Sequence, residues 1–142
     1  MKLQMLPQPL SVVIDTHVLI WALLEKSLLS AAAEFKFATA EMSDSPIYVP
    51  AISFVELRYL VEKGKFPESV YAECLNKVND PATALSPASL DLVTADSLSQ
   101  IPRVTVPDMP DRIIAATAFA LGLPLISADT EIRKLTNLSV IW

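Results

Sequence analysis

The chain has 142 residues, of which 52% are hydrophobic, with one cysteine and a net charge of −5. This length and apolar content fit a single domain over residues 1–142 that buries a core without disulfides or a structural metal. They exclude a disordered chain, a disulfide framework and a broad surface that coats nucleic acid, because such a surface needs clustered lysine and arginine.

The apolar stretches of the sequence are too short and too interrupted to predict a membrane segment. The longest stretch without a charged residue, 113–128, is shorter than the roughly 18 to 20 residues that a spanning helix needs, and it contains Gly122 and Pro124. At the N-terminus, Pro7 and Pro9 interrupt the apolar run that a signal peptide would have. We therefore expect a soluble protein without membrane contact, located in the cytoplasm.

The first half of the chain alternates strand and helix patterns. Residues 11–14 form a short, largely β-branched apolar run, which predicts a strand buried on both faces of a parallel sheet. The elements predicted after it are a helix over 18–24, a helix from the N-cap Ser30 through Ala40, a strand over 47–49 closed by Pro50, and a helix over 52–63 stopped by Gly64.

The second half continues the alternation, beginning with a helix that Pro67 opens and that runs through Val78. The elements predicted after it are a short strand over 84–85 before Ser86-Pro87, a helix over 88–98, a loop over 101–110, a helix over 111–121 between Pro110 and Gly122, a strand over 125–126, a helical turn over 131–135 and a strand over 140–142. This alternation predicts an α/β fold, a three-layer α/β/α sandwich with a central, mostly parallel sheet of four to five short strands.

Acidic residues follow the predicted strands, at the end of the sheet where ligands bind in such folds. Asp15 comes directly after the first strand, and Asp129 comes shortly after the strand that follows Gly122. Glu56 lies in the second turn of its helix. Asp111 begins another helix, with Asp108 three residues earlier. If the sheet is parallel, these side chains can converge at one rim.

Each of these acids also has a local explanation as a helix cap, a first-turn acid or a solvated helix residue. Together they raise a further problem, because two carboxylates ~4 Å apart repel by about 1 kcal/mol in water and about 4 kcal/mol at an effective dielectric near 20. A hard divalent cation such as Mg²⁺ or Mn²⁺ relieves that repulsion through oxygen ligands. A zinc site is not expected, since His17 is the only histidine and no cysteine accompanies it. With two glycines and no phosphate-binding loop, metal-assisted hydrolysis of a phosphate ester is the leading reaction class.

At these acids the sequence resembles the PIN-domain nucleases, especially the small VapC-like toxins of prokaryotic toxin–antitoxin pairs. The similarity spans 13–142, and four segments carry it in order: VIDTHVL at 13–19, SFVEL at 53–57, DMPDRIIAATA at 108–118 and SAD at 127–129. The third segment is the most specific, and in the fourth the family often has threonine where this chain has Ser127.

The resemblance implies an endoribonuclease that hydrolyses RNA phosphodiester bonds and acts as the toxin of such a pair. It implies four catalytic acids that hold one or two Mg²⁺ or Mn²⁺ ions, namely Asp15, Glu56, Asp111 and Asp129. Asp108 would be a further metal ligand.

The same resemblance implies roles for polar residues around the acids. Hydroxyl side chains would orient the carboxylates or water, and these are Thr16, Ser53, Ser127 and Thr130. Arg112 would contact an RNA phosphate or form an ion pair with a neighbouring acid.

The resemblance further implies a homodimer and a cognate antitoxin with a segment near the acidic site. Candidate contact faces are residues 18–21 and the set Phe54, Leu57, Leu60 and Val61, although ordinary core packing is the simpler role for most of them. Trp21 is the most informative of these residues, because an exposed aromatic side chain would favour an interface.

Two other functions stay open. One is a phosphotransfer domain with an acidic Mg²⁺ pocket. A receiver of that kind would have a lysine beside the pocket, which residues 127–129 do not supply, and an aspartyl phosphatase would have a second acid where this chain has His17. The other is a catalytically silent binding module of the same fold that pairs with a regulator.

Overall fold

Five parallel strands form one sheet in the computed structural model, which describes residues 10–142. The strands are Val12–Ile14 (β1), Ile47–Pro50 (β2), Leu85–Ala88 (β3), Leu125–Ile126 (β4) and Val140–Ile141 (β5). Their order across the sheet is β3-β2-β1-β4-β5, and every neighbouring pair is parallel. The residues on which the signal-peptide expectation rests, Pro7 and Pro9, lie outside the described residues.

Within residues 10–142, six α-helices connect and cover these strands. They are Thr16–Leu24 (α1), Ala31–Met42 (α2), Ile52–Glu62 (α3), Glu68–Asn79 (α4), Leu92–Asp96 (α5) and Met109–Leu121 (α6). Short 3-10 turns lie at Lys26–Leu28, Ser97–Gln100 and Ile132–Lys134. Over residues 10–142, none of the helices combines the length and the apolar character that crossing a membrane requires.

The sheet has a hydrophobic core on each face. Along β1, Val12 and Ile14 belong to one core cluster, while Val13 belongs to the other, and all three are fully buried. Ile126 and Leu125 in β4 divide between the same two clusters. Successive side chains of a strand point to opposite faces, so helices cover both sides of the sheet. The predicted α/β/α sandwich is confirmed, with five strands, all of them parallel.

The order of the strands changes direction at β1, whose neighbours are β2 on one side and β4 on the other. The Asp15 amide, just beyond β1, donates to the carbonyl of Ile126 at the end of β4 at 3.2 Å. The carboxyl ends of β1 and β4 therefore lie side by side. In open α/β sheets, such a switch point is where ligands bind.

The structure corrects the prediction for residues 84–98. The third strand does not end before Ser86-Pro87 but continues through Ala88, with Val49 opposite Pro87. Proline is tolerated there because β3 is an edge strand and needs hydrogen bonds on one side only. The predicted helix over 88–98 is shorter and begins at Leu92, because Asp91 caps it by accepting from the Thr94 amide at 2.9 Å.

Candidate active site

Asp15 joins β1 to α1 and is the most deeply buried acid of the site, with 8% of its surface exposed. One carboxylate oxygen caps α1 by accepting from the Val18 amide at 2.9 Å. The other oxygen accepts a hydrogen bond from the Ser127 hydroxyl. Burial raises the pKa of Asp15 above its ordinary value, and the bonds from Ser127 and Val18 offset part of that rise.

Ser127 lies just beyond β4, is fully buried, and connects two of the expected acids. Its hydroxyl donates to Asp15 and accepts from the Asp129 amide at 3.1 Å. One oxygen of Asp129 in turn accepts from the amides of Glu131 and Ile132, both at 2.9 Å. The turn after β4 therefore fixes Asp129 against the end of β1.

Glu56 reaches the same place from the second turn of α3. Its Oε1 accepts from the buried Thr16 hydroxyl at 2.6 Å, so the start of α1 holds the side chain of Glu56. The predicted role of Thr16 as an orienting hydroxyl agrees with this contact.

Asp108 and Asp111 approach from the N-terminus of α6. Asp108 caps this helix by accepting from the Asp111 amide at 3.3 Å, so α6 begins at Met109, two residues earlier than predicted. A carboxylate oxygen from each of Glu56, Asp108 and Asp111 lies within 4.8 Å of the other two. Three acids from two helices thus face one another.

The electrostatics of Asp111 show the cost of this crowding. Burial, followed by repulsion from the neighbouring carboxylates, raises the pKa of Asp111 from 3.8 to about 8. The carboxylates that repel it are, from the largest effect to the smallest, Asp129, Asp108, Glu56 and Asp15. Near neutral pH this crowding favours a proton on Asp111 or a cation beside it.

The four acids expected to be catalytic line a single cleft of about 300 Å³, and these are Asp15, Glu56, Asp111 and Asp129. Two aromatic side chains, His17 and Trp21, line it as well. The sequence prediction did not include these two as site residues. Their spacing of four residues on α1, immediately after Asp15, would have placed them on one helix face.

The remaining predicted residues lie in different environments. Ser53 is 1% exposed and its hydroxyl has no hydrogen-bond partner within residues 10–142, whereas Thr130 is exposed. Arg112 forms no ion pair with an acid among residues 10–142. Its guanidinium instead donates to the carbonyls of Ile101 at 2.7 Å and Leu98 at 2.8 Å, bonds with which an RNA phosphate would have to compete.

The helical faces predicted to contact a partner are largely part of the core. Val18, Leu19 and Ile20 are buried, as is Leu57, so core packing accounts for them. Trp21 is only half-buried.

The side chains at the cleft fit a hard divalent cation. The converging donors are carboxylate oxygens, which Mg²⁺ and Mn²⁺ prefer, and no cysteine lines the cleft. Burial and the surrounding carboxylates raise the pKa of Asp111, and a bound cation would offset that repulsion.

Comparisons with known proteins agree with this architecture. A family profile described as PIN domain matches residues 12–138, while no curated protein matches the chain. The VapBC2 complex of Rickettsia felis bound to promoter DNA contains a similar chain, with 15% identity, a TM-score of 0.68, and 92% of this chain and 96% of that chain covered. A chain of the DNA-bound VapBC complex of Salmonella typhimurium is 19% identical, with a TM-score of 0.67, and the match covers 92% of this chain and 96% of that chain. A chain of FitAcB from Neisseria gonorrhoeae is 21% identical, with a TM-score of 0.58, and the match covers 91% of this chain and 95% of that chain.

Proposed function

The chain belongs to the PIN domain family, and we propose that it is a metal-dependent endoribonuclease, built as one domain over residues 1–142. The observation that carries this proposal is the convergence of four acids from separate parts of the chain on one cleft at the switch point of the sheet. These catalytic acids are Asp15, Glu56, Asp111 and Asp129.

Carboxylates on both sides of the cleft would hold one or two Mg²⁺ or Mn²⁺ ions. Glu56, Asp108 and Asp111 already present oxygens close together, and Asp15 and Asp129 line the same cleft as Glu56 and Asp111. When bound, a divalent ion activates water for attack on a phosphodiester and stabilises the charge that develops on the phosphate.

The hydroxyl groups around the cleft give the acids their orientation. Ser127 donates to Asp15, and Thr16 donates to Glu56, so both carboxylates keep one direction without reorganising. Ser53 and Thr130 stay predicted orienting residues, and Arg112 stays a predicted phosphate contact.

The position of Asp15 favours metal binding over a phosphotransfer function. Both of its oxygens accept hydrogen bonds, from Val18 and from Ser127, and 8% of the residue is exposed. A nucleophilic aspartate must present an oxygen to the phosphorus atom of its substrate, whereas a metal ligand can keep these bonds.

The test is cleavage of a mixed RNA pool by the purified chain with Mg²⁺, Mn²⁺ or EDTA. We expect cleavage that EDTA abolishes, and a loss on the order of 100- to 1000-fold in Asp111→Asn. Asp91→Asn is the matched control, because Asp91 also lies at a helix N-terminus but outside the cleft, and it should cleave normally. A folded, partner-free chain that cleaves nothing under any condition would instead support the silent binding module.

We further propose that this nuclease is a VapC-like toxin, active in the cytoplasm as a homodimer and inhibited by a cognate antitoxin. The support is the likeness of its fold to the chains of toxin–antitoxin complexes. On α3, which also carries Glu56, the exposed Val55 and Tyr59 offer an apolar surface for such a partner. Expression of the chain should arrest growth, expression of Asp111→Asn should not, and growth arrest by both would contradict a toxin that acts through cleavage.

A further inference from the structure

An aromatic cluster lies beside the acids of the cleft. His17 and Trp21 are one turn apart on α1, and their ring centroids are 5.7 Å apart. On its other side Trp21 contacts Trp142, just beyond β5, again at 5.7 Å. We call these three rings the aromatic platform. His17 is its exposed end, while both tryptophans are half-buried against the core.

The aromatic platform and the acids share one surface. His17 and Trp21 line the cleft together with Asp15, Glu56 and Asp111, so a molecule that reaches the acids also meets these two rings. Among residues 10–142, no lysine or arginine lines this cleft. The side chains of the cleft therefore offer a polynucleotide no ion pair with its phosphates, the usual source of binding energy, and positive charge there has to come from the bound cation.

Stacking supplies affinity without positive charge. Every nucleobase has a flat π-face, and aromatic side chains of single-strand-binding proteins stack on it with little regard to sequence. We propose that the aromatic platform binds an unpaired nucleobase next to the scissile phosphate, so that the substrate is single-stranded at this point. This inference rests on the proposed nuclease function. A paired base is stacked within its helix and cannot offer its face to His17 and Trp21.

Packing alone explains only part of the platform. The contact between Trp21 and Trp142 joins α1 to the end of β5, which is a structural role. His17, by contrast, is exposed, so burial in the core does not account for its ring. An exposed ring at the mouth of an acidic cleft is a surface for a ligand.

The chain provides its own reporter for this binding. Trp21 and Trp142 are its only tryptophans, so its tryptophan fluorescence, excited selectively over tyrosine, comes from the platform alone. A single-stranded RNA oligonucleotide titrated into the cleavage-deficient Asp111→Asn chain should quench this fluorescence. The same RNA annealed to its complement should quench it weakly. An abasic site moved along the strand should weaken binding at one position, because it removes a base and keeps every phosphate.

Substitutions of His17 test the ring itself, with little risk to folding because the side chain is exposed. In the Asp111→Asn background, His17→Ala should weaken binding by about fivefold to tenfold, the low end of the contribution of one stacked base. His17→Phe keeps a flat ring and should restore affinity. Phe35→Ala, which removes an exposed ring on α2 away from the cleft, is the matched control and should bind normally.

The outcomes separate this inference from the proposed function. If the wild-type chain cleaves RNA, but neither the abasic site nor His17→Ala changes the affinity for RNA, the platform inference is wrong and the proposed nuclease function stands. If no RNA is cleaved but binding follows the abasic site and His17, the base site stands and the proposed hydrolysis is wrong.

Discussion

The two sides of the acidic cleft are built in opposite ways. On the sheet side, the carboxylates of Asp15 and Asp129 accept hydrogen bonds from backbone amides, and Asp15 also accepts one from Ser127. On the α6 side, Asp111 faces other carboxylates, and no hydrogen bond to its side-chain oxygens occurs among residues 10–142. The fold itself fixes the first side, whereas the second side needs a bound proton or cation to relieve its repulsion.

This difference assigns separate tasks to acids that the sequence presents as equivalent. Asp15 caps α1, so it contributes to folding as well as to the cleft. Asp111 lies in the first turn of α6, where a negative charge is favoured, yet burial and then the neighbouring acids raise its pKa to about 8. Mutations on the two sides should therefore affect stability in opposite directions while both reduce cleavage.

The largest expected effect comes from truncating one acid on each side. Without metal at pH 8, Asp15→Ala should lower the free energy of unfolding by about 1 to 3 kcal/mol, because a helix cap is lost and the Ser127 hydroxyl loses its acceptor. Asp111→Ala should leave that free energy unchanged or raise it, because it removes a repelled charge. Urea unfolding in EDTA measures the free energy of unfolding of both variants. An equal fall in that free energy in Asp15→Ala and Asp111→Ala would contradict the division of the cleft into two sides.

Ser127→Ala should have the next largest effect, on cleavage. The hydroxyl of Ser127 orients Asp15 and accepts from the Asp129 amide, so its loss should slow RNA cleavage by about 10- to 100-fold. Ser53→Ala is a matched control for stability, because the Ser53 hydroxyl is similarly buried and, in the part of the chain that the structure describes, has no hydrogen-bond partner to lose. Thermal melting should show a lower midpoint for Ser127→Ala only. An equal fall in both variants would mean that Ser53 has a partner in solution.

Local features of the site could be predicted from the sequence. A cap is set by residues three apart, as between Asp15 and Val18 or between Asp108 and Asp111, and a short apolar run followed by an acid indicates the end of a buried strand. The predicted parallel sheet already allowed the acids to converge at one rim. The resemblance to the PIN domain family added which of them would be catalytic, and the match to residues 12–138 agrees with that family.

Long-range features could not be predicted in the same way. The bond from Ser127 to Asp15 joins residues 112 positions apart and depends on β1 and β4 being neighbours in the sheet. The engagement of Arg112 with two backbone carbonyls depends on how the loop before α6 folds back onto the helix. The contact between Trp21 and Trp142 likewise requires the tertiary structure. No periodicity or spacing encodes these distances.

The last prediction concerns the pH dependence of stability in the metal-free protein. The pKa of Asp111 is about 8 in the folded state against an ordinary value of 3.8, so the folded protein binds more protons than the unfolded chain between these values. The stability due to protonated Asp111 is therefore complete below about pH 3.8 and is lost as pH rises through about 8. Burial of Asp15 raises its pKa as well, which gives a slope of the same sign.

Thermal melts in EDTA from pH 5 to 9 test this slope. The pKa values of Glu68 and Asp91 are lowered, so these two acids titrate below this range and do not contribute to the slope. The melting temperature of the wild-type chain should fall across this range. The melting temperature of Asp111→Asn should fall less, because asparagine at position 111 does not titrate. Saturating Mg²⁺ should flatten the wild-type curve, because the cation takes the place of the proton. If the melting temperatures of the two proteins in EDTA fall equally with pH, the charge of Asp111 does not destabilise the α6 side. The contrast between the two sides of the cleft would then rest on hydrogen bonding alone.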